Sequence, residues 1–142
     1  MIMDRLERFR CYQRSVPELW DAVRFAERVQ KEQLPPGKYP VGKGFAFVAQ
    51  QYKLEIADNE YYLDLLFYHI KLKCYVVVEL KNTKFIPEYT GKMNFYLSAV
   101  DTLLKGDEDK PTIGILLCRD KNNLEAEFAL RDIHKPIGIS EF

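Results

Sequence analysis

Two apolar segments, "YYLDLLFYHI" at 61–70 and "CYVVVELK" at 74–81, are separated by only three residues. Each has strand length and is rich in aromatic or β-branched residues. A gap that short joins neighbouring strands only as an antiparallel hairpin. Upstream, "FAFVAQQYKLEI" at 45–56 reads as another strand, and "ADNE" supplies the turn between it and the hairpin. The three strands form an antiparallel meander, which commits the chain to a sheet with a buried centre.

The period then changes. In "PEYTGKMNFYLSAVDTLLKG", Met93, Tyr96, Leu97, Val100 and Leu104 recur at three and four residues, which predicts a helix with Gly106 as its stop. "DEDK" is an exposed loop. "TIGILLC" is a short apolar run suited to a central strand buried on both faces. "NNLEAEFALRDI" reads as a helix capped by Asn122 or Asn123, and "PIGISEF" as an edge strand that opens on Pro136. Toward the start of the chain, Leu19, Trp20, Val23, Phe25 and Ala26 predict a helix from about Pro17 to Gln33, ended by the Pro/Gly segment "LPPGKYPVGKG". The order αβββαβαβ implies an α/β fold, with a mixed central sheet flanked by helices. It divides the chain into an N-terminal helical arm and linker over 1–41 and a domain over 42–142.

With 142 residues, 47% of them hydrophobic, the chain can bury a substantial core. Lysine plus arginine balance aspartate plus glutamate, 21 against 21, which argues against nucleic-acid binding by bulk charge but leaves room for a local basic face. No apolar run reaches the roughly 18 residues of a membrane span, and the charged start is unlike a signal peptide. The three cysteines, Cys11, Cys74 and Cys118, have no CxxC spacing. Buried free thiols in a reducing compartment are expected, and with them a cytoplasmic location.

One charged feature interrupts the apolar hairpin. Glu79 and Lys81 lie two residues apart and therefore on one face of their strand. Alone, such a pair is ordinarily a solvated surface ion pair worth under about 1 kcal/mol. Asp64, among Tyr62, Leu63, Leu65 and Leu66, changes that reading, because aspartate is depleted in strands and costly to bury unpaired. With a two-residue turn at Lys71 and Leu72, paired residue numbers sum to 143, which sets Asp64 opposite Glu79 with Cβ atoms about 5 Å apart. Two facing carboxylates repel unless a cation joins them. Oxygen ligands of this kind suit Mg²⁺ or Mn²⁺. Phosphodiester hydrolysis uses such a set: the metal acidifies water and neutralises phosphate charge, and a nearby lysine orients the attack and stabilises charge. Asp64 and Glu79 are thus the candidate metal ligands, and Asp64, Glu79 and Lys81 the candidate catalytic residues.

Asp64 followed by Glu79-Leu80-Lys81 resembles the PD-(D/E)XK nuclease motif, with Tyr62 two residues before Asp64 where that motif carries proline. The runs "GKGFAFVAQQYKLEI", "FIPEYTGKMNFYLSAVD", "PTIGILLCRDKN" and "ALRDIHKPIGISEF" extend the likeness over about residues 42 to 142. Together they resemble the nuclease domain of the YhcG-like bacterial family. The resemblance implies a restriction-endonuclease-like fold, Mg²⁺-dependent cleavage of nucleic acid, with DNA favoured over RNA, and a separate N-terminal domain not included in this sequence. In such folds a helix glutamate commonly adds a metal ligand. Glu27 and Glu18 are the candidates, Glu27 the better placed by its distance to Gly42.

Gln50 or Gln51 could reach phosphate from the first strand. Glu88, Tyr89, Lys92 and Tyr96 form a helical stripe; Lys92 and Tyr96 are candidate substrate contacts, with Tyr96 reading first as a core residue. Lys73, Lys81, Lys84 and Lys92 would supply a basic rim, extended by Lys43 and Lys53. His69 has the wrong strand parity for the site, and His134 sits in a turn. No GxSxG, HExxH or P-loop occurs. Two rival readings stand beside an active nuclease. One is a catalytically inactive domain of the same fold that binds nucleic acid or a protein partner. The other is a homodimer formed through Trp20 and Phe25 of the N-terminal helix.

Overall fold

Ala57 and Asp58 both adopt positive φ, 50° and 67°. That is the two-residue turn geometry whose twist matches a hairpin, and it joins strand β1 (Phe45–Ile56) to β2 (Asn59–His69). The computed structural model describes residues 45–141. The helix expected over 17–33, with Glu18, Glu27, Trp20 and Phe25, lies outside the described residues, as do Cys11, Lys43, the boundary at 41/42 and the dimer contact.

β2 turns through residues 70–73 into β3 (Cys74–Lys84). The turn is longer than the two residues expected, but its centre is unchanged, so Leu65 pairs with Val78 and His69 with Cys74, each pair summing to 143. The His69 Nδ1 accepts the Leu72 N–H at 2.9 Å and closes this turn from a buried position. Helix α1 (Glu88–Leu103) carries the chain across to β4 (Ile113–Asp120), which lies parallel to β3. α1 ends before Gly106, which instead donates its N–H to Asp109 Oδ2. Helix α2 (Asn123–Leu130) leads to β5 (Ile137–Glu141), parallel to β4. Of the two candidate caps, Asn122 is the one used: its side chain accepts the N–H groups of Leu124 and Glu125. The five strands lie in the order β1-β2-β3-β4-β5, antiparallel in the first three and parallel in the last three.

β4 lies inside the sheet between β3 and β5, and, as its uniform apolarity predicts, Ile113–Cys118 are buried throughout. Met93, Leu97 and Val100 of α1 join Leu66, Val77 and Leu116 of the sheet in one core, to which Ala126 and Leu130 of α2 also belong. The approach of α1 to β4 is close enough to require glycine. A Cβ on Gly114 would lie 2.8 Å from Met93 Sδ and 3.2 Å from Leu97 Cδ1. At the start of β4, Thr112 donates its N–H and its hydroxyl to Asp101 Oδ1, tying the end of α1 to the sheet. Cys74 and Cys118 are free and buried, as expected, and burial pushes both thiols up to about 11. Among the described residues no helix is long and apolar enough to cross a membrane.

Candidate active site

The ladder between β2 and β3 stops at Leu65–Val78, one step before Asp64 and Glu79. Beyond that point the strands part company. β2 continues with β1 for five more pairs, Leu63–Tyr52 to Asn59–Ile56. β3 continues with β4 through Glu79–Leu116, Leu80–Leu117 and Lys81–Cys118 to Lys84–Asp120. Asp64 and Glu79 therefore stand at the vertex of a fork in the sheet. β3 does not end at Lys81, as the sequence suggested; it runs on to Lys84 beside β4 alone.

The fork leaves backbone N–H groups without a ladder carbonyl, and the carboxylates take them. Leu80 N–H donates to Asp64 Oδ2 at 2.9 Å, and Asp64 N–H donates to Glu79 Oε1 at 3.3 Å. Gln51 Nε2 donates to Asp64 Oδ1 at 3.1 Å from the other side. The β1–β2 register passes over Gln51 and Asp64, and Gln51 holds φ at 50°, in the left-handed region. Backbone strain of this kind costs on the order of 1–3 kcal/mol and concentrates at functional sites. Of the two glutamines, Gln51 is the one brought to the site; Gln50 pairs with Leu65 one step away.

Glu79 is buried, at 4% exposure. That burial, then the negative charge of Asp64 and a side-chain hydrogen bond with it, push Glu79 up to about 9; the Asp64 N–H and the Lys81 charge pull less strongly the other way. At neutral pH Glu79 thus carries a proton. The facing carboxylates are accommodated in the protein alone by that proton and by N–H donors, so a cation is not the sole way to relieve them. A divalent cation would take the place of the proton. The donor set fits a hard ion such as Mg²⁺, which keeps waters and accepts phosphate oxygens alongside one or two carboxylates. Among the described residues, no group of three His, Cys, Asp or Glu side chains is placed to hold a metal.

Lys81 lies half-buried on Glu79's side of β3, with its ammonium 5.0 Å from the centre of the Tyr89 ring. Tyr89, whose hydroxyl is 2.7 Å from Thr83 Oγ1, is a neighbour that the sequence did not assign to Lys81. Tyr96 is a wall of the core rather than an open contact, at 3% exposure. Burial first, then the charges of Glu79 and Asp64, push its hydroxyl up to about 12. Exposed Lys92 holds its ammonium 5.7 Å from the centre of the Tyr96 ring. Lys84 lines a separate cavity of about 310 Å³ with Asp120, Lys121 and Asn122. Two lysines expected at the rim are placed elsewhere. Lys73 sits in the β2–β3 turn at the far end of β3, and Lys53 is paired with Glu55 and Glu60 at 3.1 and 3.0 Å. His69 is also at the far end, as its parity and position required.

A larger cavity, about 680 Å³, opens at that far end beside Cys74, Ile113 and Pro136. Of the two aspartates that line it, Asp101 is already engaged by Thr112 and, at 3.4 Å, by Lys135. The chemistry instead collects beyond the carboxyl ends of the parallel strands, where open α/β sheets place ligands.

Comparison with known proteins agrees with this architecture. The chain is 38% identical over 102 residues to the Escherichia coli (strain K12) protein named "Putative nuclease YhcG", covering 72% of this chain and 27% of that protein. It thus spans about a quarter of that relative's length. The fold matches the crystal structure of a repair endonuclease from Pyrococcus abyssi with a TM-score of 0.51 at 11% identity, over 86% of this chain and 46% of the other. The mixed five-stranded sheet with its helices is a restriction-endonuclease-like fold. The model of the YhcG PDDEXK nuclease domain matches residues 33–142, and the chain belongs to that family.

Proposed function

We propose that this domain hydrolyses phosphodiester bonds of nucleic acid in a reaction that depends on Mg²⁺ or Mn²⁺. The observation that carries the reading is the pairing of Asp64 with Glu79 at the fork, with Lys81 two residues further on the same strand. Asp64 and Glu79 would hold the metal, with Glu27 as a further ligand. A bound divalent ion supplies charge neutralisation at the phosphate and acidifies water. Gln51 and the Leu80 N–H fix the Asp64 carboxylate. Glu79 would hold the ion as a carboxylate, without the proton it carries in the metal-free protein. Lys81 supplies a positive charge beside the attacked phosphate and orients the nucleophile. Lys92 and Lys84 provide flanking phosphate contacts, with Gln50 next to the site. DNA is favoured over RNA on the family resemblance, and a cytoplasmic location on composition.

The test is a titration of Mg²⁺ or Mn²⁺ followed by thermal melting and by cleavage of labelled DNA and RNA. The expected result is metal stabilisation and cleavage, both lost in Asp64→Asn and Glu79→Gln. Metal stabilisation and nucleic-acid binding without cleavage would identify an inactive domain of the same fold. No response to metal in the wild type would overturn the reading.

A further inference from the structure

The arm of the fork built by β1 and β2 meets α1 through aromatic side chains. Tyr61, three residues before Asp64 on β2 and so about 10 Å along the strand, sets its ring 5.0 Å from that of Phe95 and 6.4 Å from that of Tyr96. Phe95 and Tyr96 are themselves 6.2 Å apart. The three rings form a compact triangular cluster. Its inner member, Tyr96, is buried and lies within the electrostatic reach of Glu79 and Asp64. Its outer member, Phe95, is 40% exposed on α1, and Tyr61, beside both, is half-buried. Lys92 stands one helical turn before Tyr96, with its ammonium at the same ring. The cluster thus reaches from a ring near the carboxylates to one open to solvent, with a cation beside it.

The other arm of the fork, formed by β3 and β4, is of a different character: β3 carries Lys81 and Lys84, with Asp120 beside Lys84 on β4. One side of the site offers an exposed ring and the other the ammonium groups of two lysines. Phosphates suit the second. The first suits the face of a nucleobase, and every base has one, so stacking of this kind is tolerant of sequence. A base inside a duplex is already stacked on both sides and cannot present its face to a protein ring. The chain's neutral total also removes bulk charge as a source of affinity, which leaves stacking with a larger share.

We propose that Phe95 and Tyr61 form a stacking platform for an unpaired base, so that the domain takes nucleic acid that is single-stranded next to the bond presented to Asp64 and Glu79. This rests on the nuclease reading above and names its substrate class.

The experiment measures binding of the full chain, without divalent metal, to a labelled single-stranded oligonucleotide and to the same sequence as a duplex. Cleavage of both is followed with Mg²⁺. Phe95→Leu keeps an apolar side chain and removes the ring. It should weaken single-strand binding about tenfold while leaving duplex binding unchanged. Phe95→Tyr should restore single-strand binding. Phe128→Leu, which removes an exposed ring on α2 outside the cluster, should bind as wild type does. Single-strand affinity that is the same in Phe95→Leu as in wild type, or equal losses for single strand and duplex, would overturn the platform while leaving the nuclease reading intact. Failure of the wild type to bind or cut either form would overturn both.

Discussion

Asp64 and Glu79 each take a backbone N–H that the parting of β2 and β3 frees: Asp64 Oδ2 accepts from Leu80 N, and Glu79 Oε1 accepts from Asp64 N. The sheet's break and the acidic pair are therefore one feature. An unpaired buried N–H costs about 1–3 kcal/mol, and carboxylates placed at the break avoid that cost while gathering two acids at one point.

The pair makes the metal-free protein sensitive to pH in a direction opposite to an ordinary carboxylate. Glu79 is raised from 4.5 to about 9 on folding, so between those values the folded state binds a proton that the unfolded state has lost. By linkage its contribution to stability is fully present below pH 4.5 and is lost as pH rises through about 9. Denaturant melts of the metal-free protein across this range should show a falling component that Glu79→Gln removes. Equal slopes for wild type and Glu79→Gln would contradict it.

Metal binding should release a proton from Glu79, because the cation and the proton compete for the same oxygens. Calorimetry of Mg²⁺ or Mn²⁺ binding in buffers with different ionisation enthalpies measures this directly. Near neutral pH the proton count should approach one per protein, and metal affinity should rise with pH up to about 9. A binding enthalpy independent of buffer would contradict the assignment.

Lys81→Ala should slow cleavage by about 10²–10⁴-fold, the range for a positioned acid–base or charge-stabilising group. Metal-induced stabilisation should remain, because Lys81 is not among the proposed ligands. Equal single-turnover rates for wild type and Lys81→Ala would remove Lys81 from the mechanism.

Gln51 separates strain from positioning. Gln51→Gly releases the cost of φ at 50°, of order 1 kcal/mol, and should keep or raise the melting temperature. It also deletes the hydrogen bond to Asp64, and cleavage should fall. A variant that melts lower and cuts as well as wild type would show that Gln51 serves the fold alone.

At Gly114 the core should refuse an added methyl group. Gly114→Ala would set Cβ against Met93 Sδ at 2.8 Å, and overpacking of this sort costs about 1–3 kcal/mol. Trimming Met93 to Ala in the same chain should recover little net stability but give positive coupling between the two changes. Additive losses in the double-mutant cycle would show that the clash is relieved elsewhere.

The sequence by itself determined the order of strands and helices and the Asp64–Glu79 register, while the end of α1 and the choice of Asn122 as cap were left to the structure. Alternation, apolar period and capping chemistry are local, and the hairpin sum survives a change in turn length as long as the turn's centre stays at residues 71–72. It also carried the family likeness. Only the tertiary structure decided that β3 loses β2 at Glu79 while keeping β4, because that pairing is with a segment more than thirty residues away. With that fork come the placement of Gln51 rather than Gln50 at Asp64 and the burial of Glu79. A carboxylate's proton affinity reflects what surrounds it in space, and for Glu79 those surroundings are assembled from β2, β3 and α1 together.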